Sequence, residues 1–189
     1  MIKTYVIDTN VLIQAPYAIE CFEENNLVLP LVVLEELDGL KKAEGEKGAN
    51  ARAAVRKLES YRQKGDLLQG VKLPGGGILR IEKNFVQVEL PQDIPDDKPD
   101  NRILKVCKGL AETEKEGQVI LVTKDIVLRL KAQILGIRAE DFERERISED
   151  DAQYTGRTEI YFPEEKVKEF KKKGIPLTDA YQSDEAVSY

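Results

Sequence analysis

The chain has 189 residues, 41% hydrophobic and 34% charged, with a net charge of −6, no histidine and two cysteines. That length suits one globular domain with an appendage and needs no covalent staples. The missing histidine excludes Ser-His-Asp and Cys-His nucleophiles and histidine-ligated zinc, so catalysis would have to rest on carboxylates, lysine, hydroxyls or a bound metal.

Residues 4–8 read as a short buried strand. Pro16 suits the start of a helix through Phe22, stopped by Asn25-Asn26. "LVLP", 27–30, is a second strand, and "LVVLEELDGLKK" follows at helical period with Val33, Leu37 and Leu40 on one side. "KKAEGEKGAN", 41–50, reads as a polar, glycine-bearing loop. A helix over 50–63 would turn Ala51, Ala54, Val55, Leu58 and Tyr61 inward. "VKLPGGGILRIEK" reads as a hairpin around Pro74 and Gly75–Gly77, "FVQVEL" alternates like a strand, and "PQDIPDDKPD", 91–100, is a loop. A helix from about 101 carries Ile103, Leu104, Cys107, Leu110 and Ala111. "QVILVTKD" is a buried strand ending in Thr123 and Asp125, "IVLRLKAQILG" a helix stopped by Gly136, and "IRAEDF" a last strand.

Beyond about 147 the pattern weakens. "TEIYF" reads as a strand and 164–172 as a charged helix whose Lys171–Lys173 run is a solvated end. No apolar run is long enough to cross a bilayer, and Asp8 interrupts the early one, so neither a membrane span nor a signal peptide is expected. Cys21 and Cys107 read as buried thiols of a reducing compartment, and the protein as cytoplasmic.

Alternating strands and helices predict an α/β fold: a central parallel sheet with helices on both faces, and a small β-rich insert at about 71–95 on one edge. The domain would span 1–146, with 147–189 as a C-terminal extension or linker.

Sites in such sheets form beyond the carboxyl ends of the strands. Asp8 ends the first strand and Asp125 the "VILVTKD" strand. Glu36 lies early in the helix after the second strand, and Asp100 opens a helix. At about 100° per residue, Glu36 falls about 60° from Val33 on the rim of the buried stripe, whereas Glu35 falls about 160° away, toward water. Each acid has a plainer reading: Asp8, Asp100 and Asp125 as helix caps, Glu36 as a rim carboxylate paired with lysine. Together, four gathered carboxylates cannot all ionise without cations. Oxygen ligands without histidine or cysteine suit Mg²⁺ or Mn²⁺, singly or as a pair, and such a site can hydrolyse a phosphodiester.

The net acidity sits in the tail. Residues 38–64 carry eight Lys/Arg against four Asp/Glu, and residues 140–189 carry eight against fourteen. Lys41, Lys42, Lys47, Arg52, Arg56 and Lys57 form either a solvated face or a strip that holds a phosphate backbone. No aromatic ladder is present to stack bases.

"VIDTNVLI", "LVLPLVVLEELDGLKK", "PDNRIL" and "VILVTKDIVLRLKAQILGIRAEDF", in that order over residues 1–142, resemble a PIN domain. The resemblance implies an α/β/α sandwich and a metal-dependent ribonuclease. It carries over Asp8, Glu36, Asp100 and Asp125 as metal-binding acids, with Thr9, Asn10 and Thr123 as accompanying polar positions. "LEELDGLKK", "GANARAAVRKLE" and "DNRILKV" are similar to the PIN domain found in front of PhoH-type ATPases, which implies an ATPase module downstream and makes self-association plausible. Lys124 stands where the family often has Asn and would add a cation near the site. The expected function is a metal-dependent endoribonuclease on single-stranded RNA, with Lys41, Lys42, Arg52, Arg56 and Lys124 as RNA contacts. A catalytically weak module that binds RNA or a protein partner is the alternative. A dehalogenase-type phosphatase would need an Asp where Asn10 stands, and the 71–95 insert and acidic tail suit a compact toxin poorly.

Overall fold

The computed structural model describes residues 2–95, 97–113 and 118–142, all in the first of two units, Met1–Arg146 and Ile147–Tyr189. The readings made for 147–189, including the Lys171–Lys173 run, lie outside the described residues.

The strands are β1 (Thr4–Ile7), β2 (Asn26–Pro30), β3 (Val71–Lys72), β4 (Ile78–Glu82), β5 (Val119–Val122) and β6 (Arg138–Glu140). They form one sheet in the order β3-β4-β2-β1-β5-β6. Every pair is parallel except β3 with β4. The apolar runs TYVI, LVLP and VILV are buried throughout and take three of the four interior places, as strands covered on both faces must. The short, charged β3 and β6 take the edges, which discourages further pairing.

The helices are α1 (Thr9–Gln14), α2 (Leu31–Leu40), α3 (Gly45–Arg62), α4 (Pro99–Thr113) and α5 (Ile126–Ile134), with a 3₁₀ turn at Pro16–Glu20. α1, α2 and α3 pack on one another, and α4 packs on β5 and α5. From β1 the chain steps to β2 and then β4; later it crosses to β5 and steps the other way to β6. Right-handed crossovers in opposite directions put the two helix groups on opposite faces. The result is the expected α/β/α sandwich with its β-rich insert at an edge.

Three expectations are corrected. The segment after β1 is not a helix starting at Pro16 but α1 followed by the 3₁₀ turn. Residues 41–50 are not all loop, because α3 begins at Gly45. Gly48 lies so close to the preceding turn that a Cβ there would sit 1.8 Å from the Ala43 carbonyl oxygen, so the glycine serves a tight helix–helix corner. "FVQVEL" forms no strand. It runs along α4, where the Phe85 ring fills the space over Gly109; a Cβ on that glycine would meet the ring at 2.2 Å. Lys108 Nζ also donates to the Glu89 carbonyl at 2.8 Å.

Among the described residues no helix is long and apolar enough to cross a membrane. Cys107 is buried as expected, whereas Cys21 is half-buried, its thiol donating to the Tyr17 carbonyl at 3.5 Å; both are free thiols.

Candidate active site

β1 and β5 are neighbours whose onward connections run in opposite directions. A crevice opens at the carboxyl ends of such a pair. Asp8 follows β1 there, held to β5 by its amide, which donates to the Val122 carbonyl at 3.1 Å. Thr123 follows β5 and is fully buried. Its hydroxyl donates to Asp8 Oδ2 at 2.6 Å and accepts from the Asp125 amide at 3.0 Å and from Asn10 Nδ2 at 3.3 Å. Asn10 Oδ1 accepts from the Lys124 amide at 3.1 Å, so the two strand ends are knit together.

Glu36 is half-buried and Glu35 exposed, as the helix phase requires. The partner of Glu36 is not lysine but Thr9, whose hydroxyl donates to Glu36 Oε2 at 2.5 Å. Asp8 stands at the N-cap of α1, yet its carboxylate makes no capping bond. Asp100 lies inside the first turn of α4, not at the cap, because the Lys98 carbonyl takes the first amides, from Asn101 at 3.1 Å and Arg102 at 3.2 Å. Asp125 does cap its helix: Oδ1 accepts from the Val127 and Leu128 amides at 2.7 and 3.3 Å.

Burial raises the Asp8 carboxyl to about pH 6 against the Thr123 hydrogen bond, with the charges of Asp100 and Glu36 adding to the rise and the Thr9 amide opposing it. Asp8 therefore feels the charge of both neighbouring acids. Among the described residues, no lysine or arginine forms an ion pair with Asp8, Glu36, Asp100 or Asp125. Other carboxylates at the same ends of strands are neutralised. Glu82 has Arg80 at 3.7 Å, Glu140 has Arg138 at 2.9 Å, and Asp141 takes Arg129 at 2.9 Å and Lys124 at 3.3 Å.

These donors match a hard divalent cation in chemistry: oxygen alone, negative and unpaired. They are not fully gathered, since no group of three acidic or cysteine side chains among the described residues is already arranged to hold an ion.

The cations expected to meet RNA divide. Lys42 and Arg56 are exposed. Lys41 pairs with Asp38 at 2.5 Å. Arg52 donates to the Lys41 carbonyl at 2.8 Å and so closes the end of α2. Lys124 turns to Asp141, a residue that sequence reasoning passed over as part of a strand. Asn101 and Lys131, joined by a 3.0 Å hydrogen bond, were also missed; neither type nor spacing marks them.

A family model described as a PIN domain matches residues 5–143. Protein PhoH2 of Bacillus subtilis is 44% identical over 188 residues, covering 96% of this chain and 42% of its own length. The proteins of that name from Thermobispora bispora and Mycolicibacterium smegmatis are each 38% identical, covering 84% of this chain but 35% and 36% of their own length. The chain thus spans less than half the length of the curated relatives it matches. A solved domain of a functionally unknown protein from Methanocaldococcus jannaschii aligns over 85% of this chain and 98% of its own, at 19% identity and a TM-score of 0.48.

Proposed function

Since this chain belongs to the PIN-domain family, we propose that it is a metal-dependent endoribonuclease that cleaves phosphodiester bonds in single-stranded RNA. PIN domains are in general metal-dependent nucleases. The observation that carries the reading here is Asp8: buried, unpaired with any described cation, and held half-protonated near pH 6 beside Asp100 and Glu36. A carboxylate whose charge the fold disfavours gains from a bound cation, which would displace its proton below about pH 6 and balance its charge above it.

Asp8, Glu36 and Asp100 would hold Mg²⁺ or Mn²⁺, and Asp125, with Oδ1 given to its helix, has one oxygen left to contribute. Bound there, the ion supplies positive charge at the phosphate and lowers the pKa of a water. The chain's own residues do the rest. Thr123 and Thr9 fix which oxygens of Asp8 and Glu36 face the crevice, and Asn10 ties Thr123 to the end of β5. Lys42 and Arg56 would neutralise the RNA backbone, and Lys41, Arg52 and Lys124, each already engaged within the chain, would add to the positive charge. The name PhoH2 and the greater length of the relatives support reading 147–189 as an extension toward a PhoH-type module, and that alone; a cytoplasmic, self-associating protein completes the proposal.

The second reading, a module that binds RNA or a partner without cutting it, draws on the lack of a ready-made three-ligand group among the described residues. Cleavage of a single-stranded RNA oligonucleotide with Mn²⁺, with EDTA, and by Asp8→Asn separates the two. The nuclease reading expects cleavage in Mn²⁺ alone and none by the folded variant; equal cleavage by wild type and Asp8→Asn overturns it.

A further inference from the structure

We propose that Asn101 and Lys131 are positioning residues that hold Asp100 at the acid edge, so that a lysine on α5 helps set the metal affinity of a site it does not touch. This rests on the nuclease reading above and assigns it two residues that lie inside the quoted stretches "PDNRIL" and "VILVTKDIVLRLKAQILGIRAEDF" but carry no role there.

Each of the other acids has its carboxylate anchored: Asp8 by Thr123, Glu36 by Thr9, Asp125 by the amides of α5. The Asp100 carboxylate has no hydrogen bond among the described residues. Its place is therefore set by the backbone of the first turn of α4, and that turn is fastened through its neighbour. Asn101 is 2% exposed. Its Nδ2 donates to the Pro95 carbonyl at 2.6 Å, and its Oδ1 accepts from Lys131 Nζ at 3.0 Å. One buried amide thus joins the incoming loop, the start of α4 and the last turn of α5. The lysine bond is charge-assisted and the stronger kind. Without it Asn101 Oδ1 is left buried and unsatisfied, and α4 loses its tie to α5 beside the acid. Metal–ligand distances tolerate only about 0.2 Å, so a small loosening here reaches the site.

A merely structural pair would cost stability alone. The two roles separate in a cycle of Lys131→Met, Asp100→Asn and the double variant, made in the full chain. Mn²⁺ binding is measured by calorimetry, to millimolar Mn²⁺ for the weak variants, and melting is followed in EDTA. Lys131→Met should weaken Mn²⁺ binding about tenfold, the scale of an outer-shell partner, and that loss should vanish in the Asp100→Asn background. Unchanged affinity, or the same loss with and without Asp100, overturns the proposal. A wild type that binds no Mn²⁺ overturns the nuclease reading and this inference with it. If Lys131→Met does not fold, Lys131→Ala, which also removes the donor, runs the same cycle. Asn101→Leu should show the same dependence on Asp100.

Discussion

Two carboxylates on this domain have opposite fates. Glu20, closing the 3₁₀ turn, accepts from Lys57 Nζ and from the Tyr61 hydroxyl, each at 2.5 Å, and Lys64 Nζ lies 4.6 Å from the Tyr61 ring centre. Burial pushes its pKa up, but the bonds from Lys57 and Tyr61 and the lysine charges outweigh that, so it falls below the usual glutamate value. The Tyr61 hydroxyl is driven well above its ordinary value by burial and by the same carboxylate. Asp8 is far more deeply buried than Glu20, which is exposed; a threonine is its partner and acids are its neighbours, and its pKa rises. Glu20 is already satisfied by the chain and holds α3 to the 3₁₀ turn. Asp8 has a charge that the described residues do not balance. What separates a structural carboxylate from a candidate ligand is whether the fold has already supplied its counter-charge.

The sharpest way to break this contrast is to neutralise each acid in turn. Asp8→Asn should reduce Mn²⁺-dependent RNA cleavage by more than about 100-fold, beyond the usual outer-shell effect, while Glu20→Gln leaves cleavage within about twofold; gel assays under single-turnover conditions check both. Thr123→Val should come next. It removes the hydroxyl that favours ionised Asp8, so Mn²⁺ affinity should fall roughly 10- to 100-fold and the pH midpoint of binding should rise, as read by calorimetry from pH 5 to 8.

Stability sharpens the comparison further, because the two acids give opposite slopes. A raised folded pKa contributes stability that is fully present below the unfolded value of 3.8 and is lost as pH rises through about 6. By pH 8 the metal-free protein should have lost on the order of 3 kcal/mol from Asp8. In EDTA at pH 8, Asp8→Asn should therefore melt several degrees above wild type, and the gap should close toward pH 4. A wild type that stays the more stable at pH 8 would sink this electrostatic account of Asp8. The lowered pKa of Glu20 works the other way: its contribution is present above the ordinary glutamate value and is lost on acidification. Glu20→Gln should cost only about 1 kcal/mol near neutrality, fading in acid, as measured by the same melts.

Much of the sheet was legible because β1, β2 and β5 are buried on both faces and must be apolar runs. Helix phase alone chose Glu36 over Glu35. What escaped depends on tertiary contact. The six residues of α1 are too few to show a period. The first turn of α3 looks like a loop until the Ala43 carbonyl explains Gly48. "FVQVEL" alternates, but Phe85 answers to Gly109 and no strand partner is there for it. Strand ends and connection order placed Asp8, Glu36 and Asp125 at one edge, yet the capping role of Asp125 could not be told from a ligand role by spacing. The basic strip was visible as charge, whereas Lys41 with Asp38 and Lys124 with Asp141 are pairings that a linear sequence does not rank.

The acids at the crevice come from four separate stretches of chain, from Asp8 near one end of the domain to Asp125 near the other, across neighbouring strands β1 and β5. A divalent ion seated among them would work as a reversible clasp between early and late sequence. At a free concentration 100 times its dissociation constant, such a ligand adds about 2.7 kcal/mol against unfolding. Scarcity of the ion would then shorten the lifetime of the molecule against proteases as well as silence it.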